Sequence, residues 1–146
     1  MNFSNETAMP SNTFSLSVSK PRRWTGITIA TLLVLFLIFD GVTKIIQTTP
    51  TVKGSAQLGL PSEVLPAIGS LLLICTLIYV LPRTSILGAI LLTGYLGGAI
   101  AMHVRAGNGA FPIIFSGAFA VLAWAALILR EPRLMRLIFL RQWTEK

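Results

Sequence analysis

Asp40 stands four residues before Lys44, and His103 two before Arg105, each pair at the end of an otherwise uncharged apolar run. A carboxylate and an ammonium at i and i+4 share one helix face and can pair. A neutral imidazole beside cationic groups suits an anion or a carbonyl headgroup such as that of a quinone. An aspartate near a histidine can instead shuttle a proton. Glu63 and Tyr95, the latter eight residues before His103 and so roughly on its face, complete the candidate ligand-binding set. One histidine and two carboxylates are too few for a metal site, so none is expected. A plainer account also fits these residues: a self-satisfied ion pair ending a helix, an interfacial arginine, a helix-end histidine and a packed tyrosine with its hydroxyl bonded.

The elements that must position them are four apolar stretches, roughly Trp24–Phe39, Val64–Leu81, Ile86–Met102 and Phe111–Leu129. The chain has 146 residues, 53% of them hydrophobic and 12% charged, with a mean hydropathy of +0.75. That charged share is about half of what a soluble domain carries. Water would leave too much apolar area uncovered; lipid removes the requirement. The fold expected is therefore all-α: an integral membrane four-helix bundle of up-down topology, with no separate soluble catalytic domain. The net charge of +7 does not indicate nucleic acid, because the basic residues sit between and beyond the apolar runs and form no face with interleaved aromatics. Cys75, the one cysteine, lies inside the second run; a lone thiol excludes an internal disulfide, a Cys-x-x-Cys couple and a cysteine metal cluster.

Local signals divide the chain into a disordered polar tail (1–19), a transmembrane domain (20–130) and a basic tail (131–146). The collar Lys20-Pro21-Arg22-Arg23 precedes a first span reaching Ile46, about 23 residues and enough for ~30 Å of hydrocarbon. No small-x-small cleavage site follows it, so it reads as an uncleaved span rather than a signal peptide. Gln47–Ser62 reads as a polar connection. Ser62 is expected to cap the second span, with Pro66 in its first turn; Pro82 ends that span, and Thr84 or Ser85 is expected to cap the third. Ala106-Gly107-Asn108-Gly109 is a short turn, Pro112 falls in the first turn of the fourth span, and Glu131-Pro132 closes it. Gly94-x-x-x-Gly98 is expected to admit a close helix neighbour, within this chain in preference to a second copy. Residues 133–143 mix arginines with apolar side chains and would lie as a helix on an anionic leaflet or dock a partner protein.

Orientation follows from the cations. With the N-terminus inside, Lys20, Arg22, Arg23, Arg83, Arg130, Arg133, Arg136, Arg141 and Lys146 fall on the inner side, and Lys44, Lys53 and Arg105 on the outer. Nine against three places both termini in the cytoplasm. Asp40, Lys44, Glu63, His103 and Arg105 then share the outer level.

The run Tyr79-Val80-Leu81-Pro82-Arg83-Thr84-Ser85-Ile86-Leu87-Gly88-Ala89-Ile90-Leu91-Leu92-Thr93-Gly94-Tyr95-Leu96-Gly97-Gly98-Ala99-Ile100-Ala101-Met102-His103-Val104-Arg105 resembles the DoxX-like family of small bacterial membrane proteins. Phe39-Asp40-Gly41-Val42-Thr43-Lys44 and Leu58-Gly59-Leu60-Pro61 are similar to that family's first-span and first-loop signatures. The resemblance runs from about Trp24 to Arg133. It implies a four-helix bundle in the bacterial cytoplasmic (inner) membrane. It also brings an association with redox complexes, since the family is named for subunits of a quinone-reducing, thiosulfate-oxidising assembly. Many relatives carry a Glu after the Ile-Gly of the second span; here Ile68-Gly69 is followed by Ser70 and three leucines. The polar positions that carry over are Asp40, Lys44, His103 and Arg105.

The function expected is an accessory or small-molecule-binding membrane component without proven catalysis. The alternatives are a quinone-interacting subunit of a membrane oxidoreductase, and a transporter of a small solute or lipid. The sequence has no cofactor attachment motif, although a quinone needs none. Expected partners are membrane lipid and either a redox-complex subunit or a second copy of the chain, with no nucleic acid.

Overall fold

The computed structural model describes residues 20–130; the tails over 1–19 and 131–146, including the basic segment 133–143, lie outside the described residues. The described chain is helical: α1 (Lys20–Ile45), α2 (Thr49–Gln57), a 3-10 turn (Ser62–Val64), α3 (Leu65–Val80), α4 (Ser85–Ala106) and α5 (Ala110–Arg130). Four segments of 19 to 23 residues are long and apolar enough to cross a membrane: Arg23–Ile45, Ser62–Val80, Ser85–Ala106 and Ala110–Arg130. Each contains one of the four stretches read from the sequence, give or take a residue at the ends.

The ends differ from the simplest capping expectations. The polar connection Gln47–Ser62 contains the short helix α2, which starts with Pro50 in its first turn and a 2.8 Å bond between the Thr48 and Thr51 hydroxyls. Ser62 makes no side-chain cap. It opens the 3-10 turn instead, and Val64 takes the N-cap position of α3 with Pro66 behind it. Thr84 precedes α4 but its hydroxyl donates to the Ile78 carbonyl at 2.9 Å, closing the α3–α4 turn instead of capping α4. Gly107 ends α4 in the left-handed conformation (φ 66°), which a glycine adopts without a Cβ penalty.

α1 packs against α3 and α5, and α4 against the same two helices. Leu33, Leu37, Leu72, Cys75, Tyr79, Leu92 and Leu127 meet in one buried core. The exterior is apolar as well: Leu32, Phe39, Leu77, Phe111 and Val121 are all well exposed. A surface of that kind suits lipid.

Between apolar helices in lipid, association rests on close packing. Glycines supply it at three points. A Cβ at Gly88 would collide with the Tyr79 backbone, one at Gly41 would meet Leu73 and one at Gly69 the Gly41 carbonyl, and one at Gly26 would strike Leu129. The Gly94-x-x-x-Gly98 expectation is overturned within this chain: nothing lies within 4 Å of a Cβ built at Gly94, Gly97 or Gly98. The reason is that α4 has no fully buried residue after Leu96, so its last ten residues run beyond the core.

Gly88→Val is expected to lower unfolding stability in mixed micelles by about 1–3 kcal/mol through overpacking. Gly97→Val, in open space, should lose far less; equal losses would mean that the Gly88 contact does not hold α3 to α4.

Candidate functional site

Where α4 runs past the core, a cavity of about 1050 Å3 opens. It is at the upper end of the range that takes a drug-sized molecule. The C-terminal halves of α1 and α4, the N-terminal halves of α3 and α5, and α2 with its flanks all contribute to its lining.

Much of the lining is apolar. Leu37, Leu65 and Leu96 are buried at its edge. Phe36 of α1 meets Phe115 and Phe119 of α5 with ring centroids 5.6 and 4.5 Å apart, and Phe115 and Phe119 are 4.7 Å apart. These separations are those of favourable aromatic pairs, so the three rings form a continuous wall. Phe111, exposed and outside the lining, stacks on Phe115 at 5.9 Å.

Polar side chains share the lining. Lys44 Nζ donates to Asp40 Oδ1 at 2.5 Å, and both side chains are only partly exposed. Aspartate preceding lysine by four residues is the favourable order along a helix. Each group satisfies the other where an isolated charge would be costly. Thr43 donates its hydroxyl to the Asp40 carbonyl at 2.9 Å, so it does not compete for the carboxylate. On α4, Asn108 Nδ2 lies 3.5 Å from His103 Nδ1, and the Asn108 backbone N–H donates to the His103 carbonyl at 3.2 Å. The contact engages Nδ1 and not Nε2. Asn108 thus fixes the imidazole from just beyond the end of its helix.

Of the six residues singled out in the sequence, Asp40, Lys44, Tyr95 and His103 line this one cavity. Glu63 and Arg105 are exposed and stand outside the lining. Three contributors were not foreseen. Asn108 reads in sequence only as a turn residue. Thr51 and Ser55 reach the cavity because α2 forms over it, and Ser55 is buried. The aromatic wall did leave a signal, since Phe111, Phe115 and Phe119 recur every four residues on one face of α5.

A chain of four helices long and apolar enough to cross a membrane, with an apolar exterior, is a membrane protein. It belongs to the DoxX-like family, which matches residues 28–126 and so takes in nearly the whole described chain and every residue that lines the cavity. No curated protein and no solved structure matches the chain.

Asp40→Ala leaves the Lys44 ammonium unpaired. It is expected to cost about 1–3 kcal/mol of stability in a denaturing-detergent titration. Asp40→Ala with Lys44→Ala should cost less than Asp40→Ala alone; a strictly additive double change would mean that the two groups do not pair.

Proposed function

We propose that the chain is a multi-pass protein of the bacterial inner membrane whose cavity binds a small amphiphilic molecule without transforming it. The observation that carries this reading is the mixed lining: aromatic and aliphatic side chains of α1, α3, α4 and α5 together with hydrogen-bonding side chains of α1, α2 and α4. Such a surface matches a molecule with an apolar body and a polar head. The ion pair supports binding over catalysis, because Asp40 and Lys44 are already engaged with each other.

In the same reading the long helices alternate up and down as a bundle. The lining supports this, since it draws on the ends of α1 and α4 and the beginnings of α3 and α5. The distribution of Lys and Arg supports cytoplasmic termini, so the cavity belongs at the outer level.

A quinone is compatible with this lining. The Phe36, Phe115 and Phe119 rings offer a surface for its ring, and the His103 ring N–H a donor for a carbonyl. When bound it would supply two-electron redox chemistry; the residues of this chain would hold and orient it and keep water from its ring.

Native mass spectrometry of the full chain, released from mild detergent micelles, tests the reading. One amphiphile per chain is expected on the wild type, with about tenfold weaker retention on Phe119→Ala, in keeping with the loss of an aromatic contact near 1.4 kcal/mol. A wild-type chain that emerges bare after extraction from lipid overturns it.

A further inference from the structure

Which amphiphile, and by which route, follows from how α3 and α4 part company. The two helices are closed against each other near their shared turn by the Thr84–Ile78 bond and by Gly88 on the Tyr79 backbone. Farther along, α4 presents Gly94 and Gly98, both exposed, both lining the cavity, and both with open space where a side chain would be. Thr93 is turned toward α5, because its hydroxyl accepts from Trp124 Nε1 at 2.9 Å. Gly98, five residues on, stands about 140° around the helix from Thr93, on the side of α3. On α3, Leu73 is turned toward Gly41 of α1. Leu71, two residues back, stands about 160° away, on the side of α4. Leu71 is 53% exposed and also lines the cavity. The cavity therefore reaches the outside between these two helices. Leu71 and Gly94 each lie near the midpoint of an apolar segment, Ser62–Val80 and Ser85–Ala106, so the opening stands at hydrocarbon depth.

The charge of the lining sets the head. Among the described residues, Asp40 and Lys44 are the only Asp, Glu, Lys or Arg in the lining, and they cancel. An anionic head drawn to Lys44 would also meet the Asp40 carboxylate, and a cationic head drawn to Asp40 would meet the ammonium. Either would lose hydration without gaining a free counter-charge. A neutral head loses less, and Ser55, Tyr95 and His103 offer it hydroxyl and ring N–H partners.

Resting on the binding reading above, we propose that the cavity takes an uncharged amphiphile with a hydroxyl- or carbonyl-bearing head, and that this molecule enters sideways from the bilayer between Leu71 of α3 and Gly98 of α4. The glycine face of α4 is then the passage for its apolar chain, and the aromatic wall lies across from it.

The test uses the full chain in liposomes with three photoactivatable probes of one chain length: a monoacylglycerol, an alkyl sulfonate and an alkyl trimethylammonium. The monoacylglycerol is expected to label the chain about tenfold more than either charged probe, with the label on the α3 and α4 segments. Gly98→Leu should reduce that labelling about tenfold, whereas Gly97→Leu, equally open but outside the lining, should leave it unchanged. Both variants place a side chain in free space, so folding is preserved, and the melting temperature of each checks this. Equal or stronger labelling by a charged probe overturns the neutral head. Unchanged labelling of Gly98→Leu overturns the lateral route. Either result leaves amphiphile binding itself standing. No labelling by any probe removes the binding reading and this inference together.

Discussion

Glycine contacts between helices organise this molecule. In hydrocarbon nothing squeezes apolar helices together, so they hold where backbones come close. Gly88 brings α4 onto the Tyr79 backbone, Gly26 brings α1 onto Leu129 of α5, and Gly41 with Gly69 brings α1 onto α3. The first two contacts lie at one end of the helices and the third at the other. α1 and α3 therefore stay together at the end where α4 has left the core, and the room that results is the cavity. The Trp124–Thr93 bond ties α5 to α4 near mid-helix, so these two helices border that room together.

The same medium governs the polar groups. Thr28, Thr31, Thr76 and Thr93 each return a hydroxyl proton to the carbonyl four residues back, and the fully buried Tyr79 donates to the Ala123 carbonyl at 2.9 Å. Among the described residues no buried side-chain nitrogen or oxygen lacks a partner. Asp40 and Lys44 follow the same pattern with charged groups, each being the other's partner. Beyond this pair, the cavity lining holds no other Asp, Glu, Lys or Arg among the described residues.

Much of the architecture was legible from the residues. Uninterrupted apolar runs gave the four long helices, and Pro82 and Gly107 marked where two of them end. Spacing in sequence also drew attention to Asp40, Lys44, Tyr95 and His103. What could not be read was which side of each helix faces a neighbour. Gly94-x-x-x-Gly98 has the composition of a packing face, yet here it borders open space. Gly88, with no glycine four residues away, makes the tightest approach. Arg105 and His103 are two residues apart, about 160° around a helix, and only the histidine lines the cavity. α2 was hidden because its polar, glycine-containing sequence forms a helix over the cavity without any apolar periodicity to announce it.

The most direct measurement is an experimental density map of the full chain in a lipid bilayer, taken without added ligand. The account requires α3 and α4 to be separated beside Gly98, with elongated density running from the Asp40–Lys44 pair past Phe119 toward that gap. A map in which α3 and α4 pack side chain to side chain along their whole length, leaving no density between Phe119 and Gly98, would contradict it.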